Sequence, residues 1–308
     1  MNRITTLIIF AALAFSLAAP SYARNDKDHK VDVIVVYDAK PDAAEKARVR
    51  GLGGDTRREF KNFNMRVISI SENALKSLEN GKGVKFVAPD RETFSLALTT
   101  LAPSAPTESP AHATAKMPDA ASANAQFNGY GVGIAVVDSG IGNHMDLSSS
   151  IRQYNFVGGA FPTPSVEEGE FEAYRSDPRS DAFGHGTHVA GILSGSGSAS
   201  YGQHKGAARS AKLLSLKVID DNGVGVASDA IAAMDWLLSY GQYFDIEVVN
   251  MSIGKAVEES VNTDPLVLAV EQVWDAGMTV VVSAGNHGRD GHMTITSPGN
   301  ARKVITVG

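Results

Sequence analysis

The chain has 308 residues, 43% hydrophobic and 20% charged, with no cysteine and a formal net charge of −6. Such proportions describe an ordinary globular protein long enough for a sizeable core. The lack of cysteine excludes disulfide scaffolds, thiol proteases and thiolate metal sites, and the acidic balance gives no basic face for nucleic acid.

Residues 1–23 read as a secretory signal. Arg3 supplies a basic start, Leu7 to Leu17 is an apolar run, and Ser21-Tyr22-Ala23 offers small residues for cleavage. The run is short for a bilayer span, so export to the periplasm or the exterior is expected, with no membrane attachment after cleavage and an uncleaved anchor as the alternative. Residues 24–96 then predict a small α/β sandwich. The elements are a strand over 31–38, a helix from Pro41 to Arg50, an apolar stretch from Arg66 to Ile70, a short helix capped by Ser71, and a closing strand from Val84 to Val87. Residues 97–125 are rich in Pro, Ala, Ser and Thr and read as an extended linker. Charge divides along the chain: residues 24–118 carry 16 Lys+Arg against 13 Asp+Glu, and residues 119–308 carry 11 against 21. Opposite signs favour docking of the first segment on the second, modestly, because salt screens the attraction.

From residue 126 onward the pattern alternates strand and helix. Short apolar runs at Ile134–Val137, Lys212–Val218, Ile246–Asn250, Thr279–Ser283 and Val304–Val307 suit parallel strands covered on both faces. Helices are expected at His185–Leu193, Ser228–Tyr240 and Pro265–Ala276, with residues 158–181 as a surface loop. The fold class expected is α/β, a doubly wound, mainly parallel sheet preceded by the small sandwich. In such sheets sites gather at the carboxyl ends of strands, where Asp138, Ser252, Gly254 and Asn286 all fall.

Four motifs carry chemistry. Asp138-Ser139-Gly140 ends a buried strand, and 47 positions later His185 opens a helix within Gly-His-Gly-Thr-His-Val-Ala-Gly. A carboxylate and an imidazole so placed are two thirds of a charge-relay site, the Asp holding the ring in the tautomer that can accept a serine proton. His185 and His188 share a helical face, which raises zinc, but no Glu follows His185 as metallopeptidase motifs require; no metal ligands are assigned, and His188 reads as structural. Asn286 in Ser-Ala-Gly-Asn could donate its amide to a developing oxyanion. Ser252-Ile253-Gly254 offers backbone groups to an extended peptide, with Gly223 and Gly225 as the facing edge. The Gly129-x-Gly131-x-Gly133 run precedes a strand and is not a dinucleotide fingerprint.

Val136 to Ile141, His185 to Gly191, Asn250 to Gly254 and Ser283 to Asn286 together resemble the subtilisin-like serine peptidases, in the family's order, over roughly residues 125–308. The resemblance implies Asp138 and His185 as the relay pair and Asn286 as the oxyanion donor. It also implies peptide or protein substrates, a monomer, no required cofactor, and calcium as an optional structural ion, with Asp146 as a candidate ligand. Residues 31–91 resemble, more weakly, the family's inhibitory propeptide, a partner in cis. The family's nucleophile lies in a Gly-Thr-Ser block beyond the Asn, and no Gly-Thr-Ser occurs here. The expectation is therefore a peptidase domain, 126–308, truncated before its serine and inactive as it stands. The alternative is a non-catalytic, peptide-binding or regulatory pseudoprotease.

Overall fold

Parallel strands with both faces covered can bury almost every side chain they carry. In the computed structural model, which describes residues 29–95, 127–148, 150–162, 178–286 and 294–308, residues 133–138 and 213–217 do so. Residues 246–251 and 279–283 are only partly buried, and none of 305–307, at the end of the sheet, is buried. The proposed signal segment and the linker lie outside the described residues.

The first layer is a four-stranded antiparallel sheet of β1 (Lys30–Tyr37), β2 (Asp55–Glu59), β3 (Met65–Ser71) and β4 (Val84–Pro89), in the order β2-β3-β1-β4. Helices α1 (Ala43–Gly51) and α2 (Leu75–Glu79) belong to this layer. Alternation along β1 sorts its side chains. Val33, Val35 and Tyr37 pack with Val49 and Leu78 of the helices, whereas Ile34 and Val36 join Phe60, Phe63, Met65 and Val67 in the main core of the molecule. This sheet is thus buried on both faces. Pro41 precedes the first helix rather than opening it, because the Asp42 carboxylate caps that helix by accepting from the Glu45 amide at 2.9 Å. Ser71 closes β3 and makes no side-chain cap bond; a 3-10 turn over residues 72–74 leads into α2 instead.

The second layer is a six-stranded parallel sheet in the order β13-β12-β10-β6-β8-β7. Its strands are β6 (Gly133–Asp138), β7 (Arg152–Asn155), β8 (Lys212–Lys217), β10 (Ile246–Met251), β12 (Thr279–Ser283) and β13 (Ile305–Val307). With α3 (His185–Ser194), α4 (Ala227–Tyr240) and α5 (Pro265–Asp275) it makes the doubly wound α/β fold. Helix α4 is buried along nearly its whole length, from Ala227 to Leu237. That requires apolar matter on both its sides, and the first layer supplies one of them.

A third, three-stranded antiparallel sheet joins the layers. Strand β5 (Glu92–Ser95) lies between β9 (Val224–Val226) and β11 (Ile253–Gly254). Its register pairs Thr93 with Gly225, Phe94 with Gly254 and Ser95 with Ile253.

Polar groups lock the first layer to α4. The Asp235 carboxylate accepts the Lys61 amide at 2.7 Å and the Asn62 amide at 2.6 Å. Arg58 donates to Asp229 at 2.9 Å, and both side chains are buried. Burial raises the pKa of Asp229 despite Arg58 and the Gly158 and Gly159 amides. Asp90 accepts the Ser228 amide at 2.9 Å, and burial pushes its carboxyl up to about 6.

Removing one partner of a buried ion pair strands the other, which costs about 3–5 kcal/mol. Arg58→Met is therefore expected to lower the urea midpoint and expose the Lys61 and Asn62 amides to hydrogen exchange; unchanged protection would show that the pair does not hold the layers together. Asp90 gives a second expectation. Its carboxyl titrates near 6 when docked and near the ordinary carboxylate value when released. The docked form is thus favoured by protonation: this contribution is fully present below about pH 4 and is lost as pH rises to about 6. Asp90→Asn is expected to flatten the pH dependence of the urea midpoint in that window, and an unaltered slope would refute the assignment.

Candidate active site

The register of the parallel sheet decides what meets what. Met251 pairs with Val137 and with Val282, and Asp138 pairs with Lys217, so the carboxyl ends of β6, β8, β10 and β12 finish at one edge. Asp138 is the last residue of β6 and only 1% exposed. His185 is the first residue of α3, and its ring reaches back across that edge. The His185 Nδ1 lies 2.8 Å from Asp138 Oδ1 and 3.0 Å from Oδ2. With Nδ1 held by the carboxylate, Nε2 is the nitrogen left for proton transfer. Burial works against the imidazolium, but the Asp138 hydrogen bond and charge, with help from Asp181, outweigh it and raise the His185 pKa above its ordinary value.

Close packing makes this contact possible. A Cβ at Gly186 would overlap the Gly140 carbonyl oxygen and sit 3.1 Å from Asp138 Cβ. Only glycine lets the opening turn of α3 lie this near β6. The Asp138 carboxylate also accepts the Ser139 amide at 2.7 Å, which fixes its plane.

The sequence patterns did not single out Asp181. Its Oδ1 accepts the Ser139 hydroxyl at 2.8 Å and the Gly184 amide at 2.8 Å; its Oδ2 accepts the Thr187 amide at 2.8 Å and hydroxyl at 2.6 Å. One carboxylate thereby ties the end of β6 to the start of the histidine helix. Its visible signal was an acidic residue just before a helix N-terminus, where unsatisfied amides and the helix dipole favour negative charge. The stretch expected to be a plain surface loop thus ends inside the site. Arg179 from the same stretch donates to the carbonyls of Ile141, Gly142 and Ser148; residues 163–177 lie outside the described residues. Lys217 is likewise an unforeseen brace, buried and donating to the Ser139 carbonyl at 2.5 Å.

Asn286 follows β12, two strands from β6 on the same edge, roughly 10 Å away by strand spacing. Ser252, Ile253 and Gly254 continue from β10 on that edge, and Ile253 and Gly254 form β11. Gly225 sits in β9, and the Gly223 carbonyl accepts the Ser95 amide at 3.2 Å. Four of the five positions expected to grip an extended peptide, Ile253, Gly254, Gly223 and Gly225, therefore border a slot in which the chain's own β5 lies, and Ser252 precedes that edge.

Asp146 has protein donors at one carboxylate oxygen. Its Oδ1 accepts the Ala199 amide at 2.8 Å and the Ser196 hydroxyl at 3.3 Å. Among the described residues no cluster of three or more His, Asp or Glu side chains could hold a metal.

A carboxylate–imidazole pair at the carboxyl edge of a doubly wound sheet, beside a slot for an extended strand, defines a class of hydrolase-like α/β sites. Comparison with known proteins narrows the class. Residues 129–308 match the model of the subtilase family, and the chain belongs to that family. It is 40% identical over 187 residues to serine protease AprX of Bacillus subtilis, spanning 59% of this chain and 39% of that protein. It is 28% identical over 307 residues to subtilisin E of the same species, spanning 99% of this chain and 71% of subtilisin E. The crystal structure of fervidolysin from Fervidobacterium pennivorans, a keratinolytic enzyme related to subtilisin, superposes with a TM-score of 0.64 at 21% identity. That likeness, covering 92% of this chain and 43% of fervidolysin, establishes the fold.

Replacing Asp138 by Asn removes the charge that outweighs burial at His185. The His185 ring, followed by proton NMR, is expected to titrate lower in the variant than in the native chain. The sign for stability follows: with its pKa raised by folding, His185 adds stability below about pH 6.5, and this is lost as pH rises through the raised value. An unchanged titration would contradict the carboxylate's role.

Proposed function

We propose that this chain is the precursor portion of an exported, monomeric serine endopeptidase of the Ser-His-Asp type. The observation that carries the reading is the two-oxygen contact of Asp138 with His185 Nδ1 beside a slot holding an extended strand. In this reading His185 Nε2 takes the proton of a serine hydroxyl as its oxygen attacks the substrate carbonyl. Asp138 keeps the tautomer and balances the imidazolium. Asn286 donates its amide to the oxyanion that forms. The tetrahedral adduct then expels the amine, which receives the proton from Nε2, and leaves an acyl-enzyme. Water, deprotonated by the same nitrogen, releases the acid.

The serine is the part to be found. No Gly-Thr-Ser occurs among the 308 residues, and we place that block in sequence continuing past Gly308. Residues 24–96 act in cis as an inhibitor, joined by the 97–125 linker to the peptidase domain from residue 126. Two contacts support this: β5 pairs with both β9 and β11, and the sheet above it is fastened to α4 through Asp229 and Asp235. A strand seated there obstructs any other extended peptide.

The test has two parts. The purified 308-residue chain is expected to hydrolyse no fluorogenic peptide; turnover abolished by a serine-directed inhibitor would overturn the assignment of the nucleophile. The open reading frame beyond codon 308 is expected to encode Gly-Thr-Ser in frame. In the protein so extended, Asn286→Leu should lower kcat by about 10²–10³-fold, the general magnitude for one lost oxyanion donor. A frame without the block would favour the regulatory, non-catalytic reading.

A further inference from the structure

Strand β5 is the chain's own picture of what the slot accepts. Its burial alternates: Thr93 and Ser95 face inward, and Glu92 faces solvent. Period two puts residue 91 on the same face as 93 and 95. The ladder also continues to residue 91, because the Arg91 carbonyl accepts the Ala227 amide at 2.8 Å. Three side chains of one extended segment therefore meet three places on the protein.

The two inward places are buried. The Thr93 and Ser95 hydroxyls are buried and, among the described residues, have no hydrogen-bond partner. A Cβ at Gly225 would come 3.0 Å from the Thr93 hydroxyl and 3.0 Å from Ile219 Cδ1. Thr93 is thus closely surrounded, and neither hydroxyl meets a polar partner among the described residues.

The third place differs in kind. Arg91 donates from Nε to Glu259 at 2.6 Å and forms an ion pair through a terminal nitrogen with Glu258 at 2.7 Å. The Glu259 carboxylate is 13% exposed and braced from behind by Lys255 at 2.8 Å. Lys255 is itself buried and paired with Asp264 at 2.7 Å, and Asp264 caps α5 and accepts the Ser297 hydroxyl. Burial opposes the Glu259 charge, but Lys255 and Arg91 more than offset it and hold the carboxyl below its usual range. A carboxylate fixed by a buried lysine stays in place when its guanidinium leaves, so it is organised in advance for another cation.

We propose that Glu258 and Glu259 form a selectivity site for arginine or lysine, placed two residues before the residue that occupies the Thr93 position in any peptide entering the slot between β9 and β11. This rests on the slot reading above and adds the charge that the slot selects. Arginine is preferred over lysine, since its planar fork can meet both carboxylates at once.

The test uses the full chain with β5 evicted by Arg91→Ala, Thr93→Glu and Ser95→Pro. These changes empty the acidic site, bury an uncompensated charge and delete the Ser95 bond to Gly223. Fluorescein-labelled Arg-Glu-Thr-Phe-Ser, the chain's own residues 91–95, is compared by fluorescence anisotropy with Ala-Glu-Thr-Phe-Ser and with Glu-Arg-Thr-Phe-Ser, which has the same composition and charge. The first is expected to bind about tenfold more tightly than either, the magnitude of charge-assisted pairing at a partly exposed site. Adding Glu258→Gln and Glu259→Gln should bring the three within about twofold of one another, by loss of the same pairing. Glu258→Gln alone touches no buried lysine, and should reduce the preference while leaving the fold intact. Equal binding of the first and third peptides, or a preference that survives both sets of Gln changes, would overturn the acidic site while leaving the slot. Failure of all three to bind would overturn the slot itself, and the selectivity site with it.

Discussion

The parallel register of β12, β10, β6 and β8 is the constraint on which the remainder rests. Because these strands end level, groups far apart in the chain arrive at one edge: Asp138 from β6, Ser252 from the end of β10, Asn286 after β12, and Lys217 from β8. A slip of one residue in β6 would turn Asp138 to the other face of the sheet and separate it from His185. The contact of 2.8 Å is therefore a product of strand pairing as much as of side-chain chemistry. Gly186 and Asp181 finish it from the helix side, one by lacking a Cβ and the other by gathering Ser139, Gly184 and Thr187 on a single carboxylate.

What could be read in the chain follows from where information is local. The runs Ile134–Val137, Ile246–Asn250 and Thr279–Ser283 announced strands because central parallel strands are apolar on both faces. The His185 and Asp138 motifs were legible because their glycines and small residues serve close approach. Strand β2 was not legible: Asp55-Thr56-Arg57-Arg58-Glu59 carries no apolar period, since it is a sheet edge whose one buried side chain is an arginine. Nor was β7, whose Arg152-Gln153-Tyr154-Asn155 is mostly polar. Strand β5 is four residues long and exists through partners 130 and more positions away, β9 and β11. Asp181 escaped notice for a similar reason, because its importance lies in long-range geometry and its immediate neighbours form no motif.

The N-terminal layer also corrects an intuition about domains. A small sandwich read from sequence suggests one apolar face under two helices. Here the second face is equally apolar, with Ile34, Val36, Phe60 and Phe63 continuing into the core around α4. Helix α4 in turn is buried from Ala227 to Leu237 and takes hydrogen bonds from Lys61 and Asn62 of the first layer. Each layer completes the other, and the ion pair of Arg58 and Asp229 is affordable only because the surrounding apolar contact excludes solvent from both partners together.

Strands β9 and β11 share no hydrogen bond with one another; each is joined to the third sheet solely through β5. Withdrawal of that single strand would leave two facing rows of amides and carbonyls a strand's width apart. Such a gap is indifferent to whose backbone fills it. Crowded molecules of this chain would then compete to fill each other's gaps with their own extended segments. Concentration would thus favour mutual occlusion at the moment when β5 is released, and dilution would favour a free slot.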